Sequence, residues 1–359
     1  KPLVPVAGTP LIDQVLDRLA DAHITDAIVN VHYLADQIED QIEARLREAW
    51  DRPTGDAVGR IVSDDTADSE YVAHLLSSIS VPLDPITVVV DGANGAASLV
   101  GPVTYREAGA DVIEIHCRPD GYNINDGCGS THMEDLQRAV LEHGADLGIA
   151  HDGDADRCLA VDARGQLVDG DQLMAIIALS LRDQARLVKD TVVATVMANL
   201  GFKQAMQREG IEVVETAVGD RYVLEAMLES GYILGGEQSG HVVMTEHATT
   251  GDGILTALQV MSRMAATGKS LAELASVMDR LPQVLVNVAG VDKNAVDSNA
   301  AVAQAVAAAE SRLGDSGRVL LRKSGTEPLV RVMVEARDEV TAETVAAELA
   351  DVVRAELSL

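Results

Sequence analysis

Between Ile149 and Asp162 the chain reads IAHDGDADRCLAVD, with Asp152, Asp154 and Asp156 at alternate positions and only Gly153 and Ala155 between them. Carboxylates this close raise one another's pKa unless a cation lies among them. In an extended strand alternate residues share one face, whereas in a tight loop Gly and Ala spacers let all three acids turn toward one point. A calcium EF-hand loop is excluded, because its sixth position would be Arg157 instead of Gly and its twelfth Ala163 instead of Glu. Hard oxygen ligands favour Mg²⁺, which keeps coordination positions for water or phosphate, and Arg157 would neutralise a phosphoryl group placed there. A solvated acidic turn has the same spelling in an acidic chain, so other residues must decide.

Three further stretches suit a sugar phosphate. RKSGTEPLVR brings Arg322, Lys323, Ser324, Gly325, Thr326 and Arg331 together: cations for a dianion, hydroxyls, and a glycine that lets backbone approach closely. A polar hairpin turn is the competing reading. GGEQSGH sets Glu237, Ser239 and His241 between glycines, a group able to bond sugar hydroxyls or simply to form a hairpin. TAVGDRYV places Gly219, Asp220 and Arg221 at a helix start, where backbone N–H groups and a cation favour an anion and where Asp220 can also serve as a cap.

The elements that must hold these residues alternate in a regular grammar. Short β-branched runs are followed by longer amphipathic stretches, as in α/β units with parallel strands. ITVVVDGANGA is a buried strand ending in a Gly-rich turn, a helix follows to about Ala108, and DVIEI is the next strand. HMEDLQRAVLEHGADLGIAHD reads as helix, turn and strand, which puts the three aspartates at a strand's carboxyl end, where α/β sheets gather ligands. A second such block runs from Asp190, and YILGGEQSGHVVMT reads as two short strands joined by a turn. After Pro282 the order becomes strand, helix (about Ala300 to Leu313), strand, strand, and a last helix from about Ala342, a separate α+β domain.

Composition limits the partners. The chain has 359 residues, 47% of them hydrophobic, enough for several cores. Lys plus Arg number 28 against 57 Asp plus Glu, and the net charge of -29 disfavours nucleic acid and anionic membranes. Three cysteines without C-x-x-C spacing indicate neither a disulfide framework nor a zinc knuckle. No apolar run approaches the ~20 residues of a membrane span and the opening KPLVPVAGTP lacks the regions of a signal peptide, so a cytoplasmic location is expected.

DGANGA, RPDGYNINDGCGSTH, GIAHDGDADR, TAVGDRYV, GGEQSGH, ATTGDG and RKSGTEPLVRVMVEA occur in the order and approximate spacing of the α-D-phosphohexomutase superfamily. From about residue 52 to the C-terminus the chain resembles its bacterial phosphoglucosamine mutase branch, CGSTH and GEQSGH being nearer to that branch than to the mannose or glucose ones. The resemblance implies consecutive α/β domains at 51–165 and 166–280 and a C-terminal α+β domain at 281–359. It implies interconversion of glucosamine 6-phosphate and glucosamine 1-phosphate, with a phosphorylated amino sugar as partner and Mg²⁺ at Asp152, Asp154 and Asp156. Arg157 would assist phosphoryl transfer, Glu237 and Ser239 would hold sugar hydroxyls, and the loop from Arg322 to Arg331 would grip the non-reacting phosphate.

Family chemistry also needs a phosphoserine in a Ser-His-Asn loop of a first domain, and that triplet does not occur here. Ser130-Thr131-His132 belongs to the family's second domain and is not the donor. The expectation is a mutase fold whose nucleophile comes from a partner chain or a missing segment, with a non-catalytic sugar-phosphate and Mg²⁺ binder as the alternative. Residues 1–42 resemble instead the early part of sugar-phosphate nucleotidyltransferases, with Lys1 as a stranded nucleotide contact, so 1–50 is expected to be a short α/β fragment. A nucleotidyltransferase is a more distant alternative.

Overall fold

A computed structural model describes residues 66–324 and 329–359, together with a short antiparallel pairing of Pro5–Val6 with Thr9–Pro10. The nucleotidyltransferase-like reading of residues 1–42 therefore lies outside the described residues, as do Gly325 and Thr326.

Residues 66–359 form one unit built on three sheets. After helix α1 (Ala67–Ser77), the first sheet begins with β1 (Thr87–Asp91), continues through α2 (Ala97–Glu107) to β2 (Asp111–Ile115), and through α3 (Glu134–His143) to β3 (Leu147–His151). It ends in β4 (Cys158–Asp162) and β5 (Leu167–Val168). Spatial order is β2-β1-β3-β4-β5. The pairings of β1 with β2 and β3 are parallel, and the last two are antiparallel. Every residue of β3 is buried, as expected of a central strand covered on both faces. Helix α3 stops at Gly144, whose φ of 62° lets the chain turn back into β3 at no steric cost.

The second sheet repeats the scheme. Helix α4 (Gly170–Asp183) opens with Asp169 and Gln172 in a reciprocal capping box, then β6 (Thr191–Thr195), α5 (Leu200–Arg208), β7 (Glu212–Thr216), α6 (Asp220–Ser230) and the hairpin of β8 (Leu234–Gly236) with β9 (Val242–Met244). Its order is β9-β8-β6-β7. Helices α7 (Gly253–Thr267) and α8 (Leu271–Ala275) complete it. The repeat read from sequence is present, but the two α/β segments do not keep separate cores. Helix α4 packs on β4 of the first sheet and β8 of the second, and one buried cluster takes in Val88, Ile149, Leu173, Ile177, Phe202, Leu234 and Leu258.

The C-terminal sheet is fully antiparallel: β10 (Gln283–Ala289), helix α9 (Ala300–Leu313), β11 (Gly317–Lys323) and β12 (Leu329–Ala336), in the order β10-β12-β11. Helix α10 (Glu339–Leu357) starts three residues before the expected Ala342, because Asp338 caps it by accepting from the Thr341 amide. Strand alternation assigns the two faces of β12. Val330, Val332 and Val334 join a separate core with Val345, Leu349 and Val353 of α10, while Met333 and Glu335 are buried on the opposite face. Glu335 reaches the second sheet's domain there and accepts from the Leu200 amide at 2.8 Å. No helix among the described residues is long and apolar enough to cross a membrane.

Candidate functional site

The three aspartates stand where the strand grammar placed them, in the loop that leaves β3 at Asp152 and enters β4 at Cys158. Ala155 has φ of 63°, a left-handed turn that folds the chain back, and oxygens of Asp152, Asp154 and Asp156 come within 4.8 Å of one another. Asp152 is buried and Asp154 exposed. Burial first, and then Asp156 beside it, push the Asp152 carboxyl above the usual range, and Arg157 offsets part of that. The Arg157 Nε pairs with Asp152 Oδ2 at 2.9 Å and donates to Asp156 Oδ1 at 3.3 Å, and the Arg157 amide donates to Asp152 Oδ1 at 3.1 Å. Three carboxylates and one guanidinium thus share a single loop, and the acid-rich side is open to solvent at Asp154.

The loop is held by the DGANGA turn after β1. The Ala96 amide donates to the Gly153 carbonyl at 2.9 Å, and a Cβ on Gly95 would lie 2.2 Å from that same oxygen. Only a glycine permits this approach. Asp91 at the end of β1 orders the turn: it accepts from the amides of Ala93 and Gly129 and pairs with His116 at 2.9 Å. Asp91, His116 and Cys128 form a second cluster with metal-capable atoms, yet those three bonds already account for the Asp91 oxygens.

The GGEQSGH hairpin docks on the exit of the aspartate loop. Cys158 donates its amide to the Gly240 carbonyl at 3.1 Å, Arg157 and His241 face each other in an antiparallel bridge, and His241 Nε2 lies 3.6 Å from Asp156 Oδ2. Glu237 Oε1 accepts from the Gly219 amide at 3.0 Å, joining the hairpin to the start of α6, with Ser239 exposed between. Gly219 occupies the capping position of that helix; Asp220 follows it and bonds the Arg221 amide. Arg221 points along its own helix to Glu225 at 2.8 Å. The stretches 152–157, 219–221 and 237–241 therefore meet.

On the C-terminal domain, Arg322 and Arg331 stand directly opposite across β11 and β12. Burial, and then the Arg331 charge, lower the Arg322 pKa. Two cations side by side on a sheet suit an anion. Ser324 is buried at the strand end, its carbonyl accepting from Lys293 Nζ at 2.7 Å, a cation the sequence reading missed. Lys323 is turned away to Asp297.

Domain by domain, the descriptions Phosphoglucomutase/phosphomannomutase alpha/beta/alpha domain II, alpha/beta/alpha domain III and C-terminal domain match residues 69–165, 169–281 and 285–352. The phosphoglucosamine mutase of Streptomyces griseus subsp. griseus is 61% identical over 331 residues, 91% of this chain and 73% of that protein. That of Nocardioides sp. is 62% identical over 328 residues, again 91% and 73%. The chain belongs to the phosphoglucosamine mutase family. Its class is that of the isomerases. Among solved structures, the phosphoglucomutase/phosphomannomutase family protein of Burkholderia thailandensis shares the fold with a TM-score of 0.67 at 21% identity, over 80% of this chain and 64% of that one. The N-acetylphosphoglucosamine mutase of Aspergillus fumigatus, solved with GlcNAc-6P and magnesium, does so with a TM-score of 0.63 at 24% identity, over 79% and 68%.

The family alignment also moves a boundary. Since 91% of 359 residues is about 327, a match of that length begins no later than about residue 33, well before the expected residue 52 and inside the stretch 1–42 read as nucleotidyltransferase-like.

Proposed function

We propose that the chain carries the metal, sugar and distal-phosphate sites of an enzyme that interconverts glucosamine 6-phosphate and glucosamine 1-phosphate. The observation that carries this reading is the single loop in which Asp152, Asp154, Asp156 and Arg157 converge, in a chain 61% identical to a phosphoglucosamine mutase. The donor set fits Mg²⁺: three carboxylates, all oxygen, with Asp154 open to solvent, and Mg²⁺ so held keeps coordination positions for water or a phosphoryl oxygen. A bound Mg²⁺ supplies charge stabilisation for the transferring phosphoryl group. Arg157, already aligned by two aspartates, presents its remaining donors to the same group. Glu237, Ser239 and His241, with Gly219, Asp220 and Arg221, line the sugar side, and Arg322, Ser324 and Arg331, with Gly325 and Thr326, grip the phosphate at the other end.

The family's reaction takes a phosphoryl group from a serine in its first domain and returns one through a bisphosphate. No Ser-His-Asn triplet lies in these 359 residues, so that donor belongs to a preceding segment or a partner chain. The relatives support the mutase reading over both the non-catalytic binder and the nucleotidyltransferase. A reducing, cytoplasmic setting accords with three unpaired cysteines.

Calorimetry with glucosamine 6-phosphate and Mg²⁺ tests the site. Wild type is expected to bind both, and Asp154→Ala to weaken Mg²⁺ by about a hundredfold or more, beyond the ~10–100-fold typical of outer-shell losses. In a coupled assay primed with glucose 1,6-bisphosphate and supplied with the phosphoserine domain, the same variant should lose turnover. Equal Mg²⁺ affinity in the two proteins would overturn the reading.

A further inference from the structure

The aspartate loop is closed by the side chain of the residue that precedes it. His151, the last residue of β3, is fully buried, with Nδ1 3.2 Å from the carbonyl oxygen of Arg157 and Nε2 2.9 Å from the hydroxyl of Tyr105, itself fully buried on α2. A backbone carbonyl can only accept, so Nδ1 carries the proton. Nε2 must then accept, and the Tyr105 hydroxyl donates to it. One tautomer satisfies both contacts.

Three other loop carbonyls are held by backbone amides. Asp152 accepts from the Ala155 amide at 3.1 Å, Gly153 from Ala96 at 2.9 Å, and Ala155 from Gly253 at 2.9 Å. Of these four carbonyls, that of Arg157 alone is fixed by a side chain, and Arg157 is the residue whose guanidinium gathers Asp152 and Asp156. The surroundings have no slack: a Cβ on Gly253 would lie 2.2 Å from the Arg157 oxygen and 2.7 Å from His151 Nδ1.

Resting on the reading of this loop as a Mg²⁺ site, we propose that His151, oriented by Tyr105, is a positioning residue that sets the Asp152–Arg157 loop in its metal-binding geometry. Neither side chain touches the metal or the sugar. Their effect passes through the Arg157 peptide. Mg²⁺ demands near-octahedral oxygens, so a small shift of Arg157, whose amide bonds Asp152 and whose guanidinium lies against Asp152 and Asp156, misplaces the ligands.

The test separates placement from stability. Mg²⁺ dissociation constants by calorimetry and Tm by thermal melts are compared for wild type, Asp154→Ala, His151→Asn, His151→Leu and Tyr105→Phe. The amide nitrogen of asparagine falls near the place of Nδ1, so His151→Asn keeps the donor and should bind Mg²⁺ within about threefold of wild type. His151→Leu should lose ~10–100-fold, the range of outer-shell effects, and Tyr105→Phe several-fold, more than any change in Tm accounts for. Unchanged Mg²⁺ affinity in Tyr105→Phe and His151→Leu, whatever happens to Tm, would overturn the proposal. So would His151→Asn binding as weakly as His151→Leu. If His151→Leu does not fold, Tyr105→Phe and His151→Asn still decide it. Wild type that bound no Mg²⁺ would overturn the loop reading as well, whereas binding lost in Asp154→Ala and kept in Tyr105→Phe and His151→Leu would overturn this inference alone.

Discussion

Arg318→Met should cost ~3–5 kcal/mol of folding stability, the range for breaking a buried ion pair from one side. The guanidinium donates from Nε to Glu335 Oε2 at 2.7 Å, from Nη2 to Glu335 Oε1 at 3.0 Å, and to the carbonyls of Val196 at 3.0 Å and Ala198 at 2.6 Å. Glu335 has no exposed surface, and it also accepts from the Leu200 amide. Methionine replaces the bulk of the stem but leaves a buried carboxylate compensated by one amide. Since ~1.4 kcal/mol is tenfold, the folded-to-unfolded ratio falls by roughly two to three and a half orders of magnitude. Val196, Ala198 and Leu200 belong to the second α/β segment, and Arg318 and Glu335 to the C-terminal sheet, so the loss falls on their joint. Urea unfolding followed by circular dichroism measures it. Arg318→Met with Glu335→Leu removes both charges and should cost only ~1–3 kcal/mol, the penalty of the amide and carbonyls left unbonded. A single variant costing under ~1 kcal/mol, or a double variant equal to the sum of its singles, would refute the reasoning.

Two further outcomes follow from contacts at the site. Gly95→Ala places a Cβ 2.2 Å from the Gly153 oxygen, so the aspartate loop must retreat by about 1 Å to restore an ordinary contact; Mg²⁺ affinity by calorimetry should drop ~10–100-fold, and wild-type affinity would show that the DGANGA turn does not support the loop. Arg322→Gln removes one of two facing cations, so affinity for glucosamine 6-phosphate should fall ~10-fold or more, the value of a charge-assisted bond; unchanged affinity would take the distal phosphate elsewhere.

Local signals made the elements legible. The run of Thr87 to Asp91 and the turn at Gly144 each have a physical reason contained in a few neighbouring residues, so strand, helix and loop order could be read in one pass, although that reading passes over the cap at Asp338. The aspartate loop was legible for the same reason, its three acids and its glycine and alanine spacers lying within five positions. Arg221 shows what such reading omits: a cation at a helix start suits an anion, and Glu225 one turn on also pairs with it.

What stayed hidden depends on contacts between residues distant along the chain. His151 is one more buried position at the end of a strand until Tyr105, 46 residues earlier, and the Arg157 carbonyl are seen on its two nitrogens. Glu335 and Asp171 are carboxylates that hydropathy assigns to the surface, and both are buried because two domains close over them; Asp171, its acidity suppressed chiefly by that burial, accepts from the Asn199 amide, between Ala198, whose carbonyl takes Arg318, and Leu200, whose amide bonds Glu335. The shared core of the two α/β segments has the same origin, since α4 is apolar enough to serve either sheet and only its packing shows that it serves both. Periodicity states which face of an element must be covered and is silent on what covers it. For this chain that silence falls on the contacts that tie the Asp152–Arg157 loop to its supports, so the ligand types are readable in the sequence and their precision is a property of the fold.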